Sequence, residues 1–94
     1  MIKVTNIPTV TCDDIERELG IRVYECEFAE MAENDSYVML DLDNDHIEDI
    51  KADLDWNQGK CNEFLEKRLN NELTLINYFR EQGYTDRILV FVSW

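Results

Sequence analysis

Basic residues, histidine and glycine are all scarce in this chain of 94 residues, and each shortage removes a class of function. Nine Lys and Arg face 21 Asp and Glu, for a formal net charge of −12. Affinity for phosphates depends on Lys and Arg, so direct nucleic-acid binding is disfavoured by sign, as is an anionic membrane surface. The only glycines, Gly20, Gly59 and Gly83, each mark a turn or a helix end, which leaves no glycine-rich phosphate loop. The single histidine, His46, sits in a run of carboxylates and reads as solvated, so no base stands beside a nucleophile. The expectation is a protein that is not an enzyme and needs no cofactor.

Three cysteines, Cys12, Cys26 and Cys61, cannot all pair within one chain, and none has CxxC spacing. They read as buried thiols in a reducing compartment. A zinc site would have to gather all three around His46, which the spacing does not encourage. No apolar run approaches the ~20 residues that span a bilayer. The start, MIKVTNIP, carries no apolar stretch of signal-peptide length. A cytosolic location is expected. There are no internal repeats or low-complexity segments, and a hydrophobic fraction of 45% suits one globular domain.

What is abundant is acid, and it is unevenly spread. Between Asp13 and Asp55 there are 16 acids and three bases, which nets −13, while the remainder nets +1. The densest stretch is 41–56, DLDNDHIEDIKADLDW, where Asp41, Asp43, Asp45, Glu48, Asp49, Asp53 and Asp55 face a single Lys51. With Asp43 or Asn44 as cap, a helix to about Asp55 puts Ile47, Ile50 and Leu54 on one face and the acids on the other. Asp45, Asp49 and Asp53 form an i, i+4, i+8 row whose like charges repel by a few tenths of a kcal/mol per pair. Helix stability alone would not select that row. DLDND opens like a calcium loop, but His46 and Ala52 stand where an EF-hand needs Gly and Glu, so no metal is expected.

Taken in order, residues 2–6 alternate as a first strand, ended by Asn6 and Pro8. Thr11 caps a short helix, Cys12–Leu19, which Gly20 stops; Asp13 and Asp14 suit its first turn. Residues 22–28 alternate, with Tyr24, Cys26 and Phe28 on one face and Val23, Glu25 and Glu27 on the other. A polar connection with a turn at Asn34-Asp35 leads to a strand over 37–42, predicting an antiparallel hairpin. Its outward acids Glu25, Glu27 and Asp41 would lie near the acidic helix. Asn57-Gln58-Gly59 is a break, and a helix follows from about Lys60 to Gln82, with a bend at Asn70-Asn71 and Gly83 as its stop. RILVFV, Arg87–Val92, reads as a strand buried on both faces.

The order β-α-β-β-α-α-β predicts an α+β domain with helices on one face of a mostly antiparallel sheet. Merging the last two helices gives the ferredoxin-like arrangement. That fold places its second and fourth strands at the edges, whereas RILVFV reads as central. Either its outer face meets a partner or the strand order differs.

No motif identifies a family. At the level of type, the size, the acidic stretch 41–55 and the α+β order resemble the small acidic inhibitors of phages and mobile elements, among them anti-CRISPR and anti-restriction proteins. The resemblance implies a nucleic-acid mimic for a basic cleft on a host defence effector. Successive carboxylates of an i, i+4 row lie about 6 Å apart along a helix axis, near the spacing of phosphates on one strand. Such binding is fast and salt-sensitive. The expected surface is Glu25, Glu27, Asp41, Asp43, Asp45, Glu48, Asp49, Asp53 and Asp55. Trp56 is either an interface anchor on the charged side or, if the helix stops first, a residue tucked under the loop. Trp94 either closes the core or meets a partner.

A fainter likeness joins the ending INYFREQGYTDRILVFVSW, about a fifth of the chain, to the last helix and strand of barstar-type ribonuclease inhibitors, though the 22–42 hairpin does not suit that fold. Rival readings are therefore an immunity or antitoxin protein facing a basic nuclease toxin, and a general acidic interaction module, including a homodimer joined through the outer sheet face.

Overall fold

The computed structural model describes residues 7–30, 32–60 and 62–93. The described elements are β1 (Thr9–Thr11), α1 (Cys12–Leu19), two short 3₁₀ turns (Val23–Glu25 and Glu27–Ala29), β2 (Ser36–Asp41), α2 (Asn44–Gln58), α3 (Glu63–Glu81) and β3 (Arg87–Val92). They form an α+β domain around a mixed sheet of order β1-β3-β2. β3 is central: it pairs in parallel with β1 (Thr9 opposite Leu89) and antiparallel with β2 over six positions, Ser36–Val92 to Asp41–Arg87. The central position expected of RILVFV therefore holds, and it is the strand order that departs from the ferredoxin arrangement.

The core follows from period-2 alternation on this strand. Ile88, Val90 and Val92 are fully buried and meet Leu40, Leu42, Leu75 and Ile76 beneath the helices. The opposite face is not sealed as expected. Leu89 and Phe91 are half-buried there, beside exposed Tyr37 and Met39, with the Tyr37 and Phe91 rings 5.1 Å apart.

Three local expectations change. The strand expected over 2–6 lies outside the described residues, as do Cys61 and Trp94, and the first described strand, Thr9–Thr11, follows Pro8 where a loop is expected. Pro8 leads into this edge strand: its carbonyl accepts the Leu89 N–H at 2.8 Å, and the edge position tolerates its missing donor. α3 runs unbroken through Asn70-Asn71.

The third change is the largest. Residues 22–28 are not a strand, so the predicted hairpin does not form. Their backbone is satisfied by its own 3₁₀ bonds and by α3 side chains instead of a neighbouring ladder. Arg68 donates to the Tyr24 and Cys26 carbonyls (3.0 and 2.8 Å), Asn71 to the Glu25 carbonyl (3.4 Å), and Glu72 accepts the Phe28 N–H (2.7 Å). Residues 68, 71 and 72 share one helix face, so a single stripe of α3 holds the whole segment.

The segment also carries Cys26, which has no exposed surface. Burial, reinforced by the Glu72 charge, pushes its thiol up to about 12 from an ordinary 9.0. Thiolate is the reactive form, so native alkylation of Cys26 should be strongly slowed relative to the unfolded chain. Mass mapping of iodoacetamide adducts checks this, and rapid native labelling at Cys26 would contradict the burial.

Candidate functional site

The acidic helix forms as its sequence dictates. Asp43 is the cap, its Oδ1 accepting the His46 N–H at 2.8 Å. Ile50 and Asn57 define its buried line, flanked by half-buried Ile47, Leu54 and His46. At about 100° per residue, Asp53, Asp49 and Asp45 step up one flank and Glu48 and Asp55 lie on the outward side. All five are exposed, and none of them joins an ion pair among the described residues.

The helix continues past the expected break, through Gln58, which carries Trp56 on the acidic flank rather than under a loop. Trp56 is 63% exposed, with Lys60 Nζ 5.4 Å from its ring centroid.

The remaining predicted acids do not join this face as free charges. Glu25 and Glu27 are half-buried and matched within the chain, to Lys67 at 3.1 Å and to the Arg68 Nε at 2.9 Å. Their role is to anchor the 3₁₀ segment, a consequence of residues 22–28 lying against α3 instead of in the sheet. Asp41 is exposed at the end of β2, opposite Arg87 in the register. Asp43 spends one oxygen on its cap.

α2 packs antiparallel on α3. Arg80 reaches Asn44 Oδ1 at one end (2.8 Å), His46 faces Glu72 near the middle (3.3 Å), and Asn57 donates to the Asn62 carbonyl at the turn (2.8 Å). His46 is thus not the solvated residue the sequence predicts; its Nε2 is buried and turned toward Glu72. Between the helices a groove of about 470 Å³ is left open, closed at one side by Glu27 and Phe28. Asp49, Asp53 and Trp56 form its α2 wall with His46 and Ile50, and Leu65, Leu69 and Glu72 its α3 wall. Among the described residues no group of three His, Cys, Asp or Glu is placed to hold a metal ion.

Sequence reasoning missed Arg68, Glu72 and Asn57, three polar residues that are almost fully buried. A signal was present for two of them. Arg68 and Glu72 are an i, i+4 pair lying among Leu65, Leu69, Leu75, Ile76 and Phe79 on the apolar stripe of α3.

Glu72 is 2% exposed, and desolvation raises its carboxyl above the ordinary 4.5. The Phe28 N–H and His46 pull it down, and Glu27 adds to the rise. The folded state therefore holds this proton more tightly than the unfolded chain. The resulting stability is present below the ordinary carboxylate range and is lost as pH rises through the folded value. Glu72→Gln keeps an acceptor for Phe28 and removes the titration. Urea midpoints measured from about pH 4 to pH 7 should show the variant gaining on wild type as pH rises. Parallel profiles would contradict the burial penalty.

No family model matches the chain, nor does any curated protein or solved structure. No described helix is long and apolar enough to cross a membrane.

Proposed function

We propose that this chain is a non-enzymatic inhibitor of the anti-CRISPR type, whose α2 surface occupies a basic nucleic-acid-binding site on a host defence effector. The observation that carries the reading is the uncompensated charge of α2: Asp45, Glu48, Asp49, Asp53 and Asp55 are exposed and unpaired among the described residues, while Glu25 and Glu27 are matched by Lys67 and Arg68. A surface meant only for solubility would intersperse both signs.

Local stability accounts for Asp45, which lies in the first turn at the positive end of the helix dipole, but not for the other four. Aspartate is a poor helix former, and the i, i+4 row is self-repelling. Asp55 lies in the last turn, against the negative end of the helix dipole, and that turn holds no basic residue. Asp55→Asn should therefore stabilise the protein, by about 0.3–1 kcal/mol. Thermal unfolding at low salt checks it; a loss of stability would give Asp55 a structural role and weaken the functional reading.

The test of the proposal is capture of the partner from host lysate at about 0.1 M and 1 M salt, where the Debye length falls from ~10 to ~3 Å. The expected result is a nucleic-acid-binding effector held at low salt, released at high salt, and displaced by its own nucleic acid. A partner that stays bound at high salt, or binds together with its nucleic acid, would overturn the mimic.

A further inference from the structure

Resting on that reading, we infer that the groove between α2 and α3 is the seat for one arginine side chain of the partner. The groove is concave, and its lining holds no Lys or Arg. Its α2 wall presents Asp49 and Asp53 one turn apart, both exposed and without a partner among the described residues. At its α3 wall lies the buried carboxylate of Glu72: Oε1 is held by the Phe28 N–H, and Oε2 lies 3.3 Å from His46 Nε2. Charge complementarity therefore selects a cation and rejects an anion.

The rest of the lining selects which cation. Ile50, Leu65 and Leu69 offer an apolar surface to a methylene stem, and Trp56 stands exposed at the rim. Its ring face already attracts a cation in this fold, Lys60 at 5.4 Å. An ammonium is a compact, strongly hydrated charge, and the apolar walls would strip its water. A guanidinium is planar and weakly hydrated; it stacks on indole and donates along two directions to a pair of carboxylates. Arginine is the better fit to two aspartates one helical turn apart beside a tryptophan.

The test uses acetylated hexa-arginine and hexalysine as probes, titrated into the full chain by calorimetry at low salt, with the Trp56 indole N–H followed by NMR. Wild type should bind hexa-arginine at least about tenfold more tightly than hexalysine. Asp49→Asn with Asp53→Asn should weaken hexa-arginine by about tenfold or more, whereas Glu48→Gln with Asp55→Asn, which removes the same charge from the outward side, should cost less than about threefold. Trp56→Ala should narrow the gap between the two peptides. All these side chains are exposed, and an unchanged circular dichroism spectrum would verify that each variant folds. Equal losses from the two double variants, or equal affinity for the two peptides, would eliminate the groove while leaving a diffuse acidic surface intact. No salt-sensitive binding of either peptide would overturn the groove and the acidic-surface reading together.

Discussion

Arg68→Ala is expected to destabilise the protein by about 3 kcal/mol or more, the largest loss from any single side chain described above. Arg68 is 6% exposed, and its guanidinium spends its donors on three acceptors of one segment: Glu27 Oε1, the Tyr24 carbonyl and the Cys26 carbonyl. Without it, the Tyr24 and Cys26 carbonyls each lose a charge-assisted hydrogen bond, worth about 1.5–3 kcal/mol, though the Cys26 carbonyl keeps the Ala29 N–H at 3.2 Å. Glu27 loses its counter-ion as well, though its side chain retains 30% exposure and water recovers part of that cost. Arg68→Lys should rescue less than half, because an ammonium cannot reach three acceptors spread along a 3₁₀ segment. Equilibrium urea unfolding measures the total. Hydrogen exchange across residues 24–28 shows whether the loss begins there. A change below about 1 kcal/mol would mean that water or a neighbouring side chain replaces the arginine.

The second large effect concerns recognition. Replacing Asp45, Asp49 and Asp53 together by Lys moves the formal net charge from −12 to −6, since each reversal changes it by two. The fold should survive: all three are exposed, and no ion pair or side-chain hydrogen bond among the described residues depends on them. Helix propensity in fact favours Lys over Asp. Binding to a cationic cleft should fall by more than about 100-fold, or ~3 kcal/mol, because attraction is replaced by like-charge contact. The informative control reverses Glu16, Glu18 and Glu81, three exposed acids away from α2. That variant has the same net charge and should keep its affinity within about tenfold. Equal losses would show that the partner responds to total charge and not to the α2 face. An unchanged affinity in the first variant would remove α2 from the interface.

How much of this was legible beforehand differs by element. α1, α2 and β3 were readable because their signals are local. Thr11 and Asp43 cap their own helices, Gly20 adopts the left-handed conformation that ends α1 (φ 68), and RILVFV is a run of β-formers. The misread segment, 22–28, shows the limit. Its alternation of Tyr24, Cys26 and Phe28 is a strand pattern, but a strand needs a neighbour to take its backbone bonds. Here the neighbour is a stripe of α3 side chains some forty residues away. The same event decided the candidate site, because it took Glu25 and Glu27 out of the acidic surface and placed them against Lys67 and Arg68.

The sequence by itself determined the α+β composition, the apolar run that forms β3 and the concentration of acid on one helix, since these depend on periodicity, capping and charge counts within short stretches. Only the tertiary structure decided which acids remain unmatched, that His46 turns inward to Glu72, and that Asp49, Asp53 and Trp56 wall a groove. The physical reason is that a carboxylate's worth depends on what lies within a few ångströms of it. For this chain those neighbours come from α3, far along the sequence.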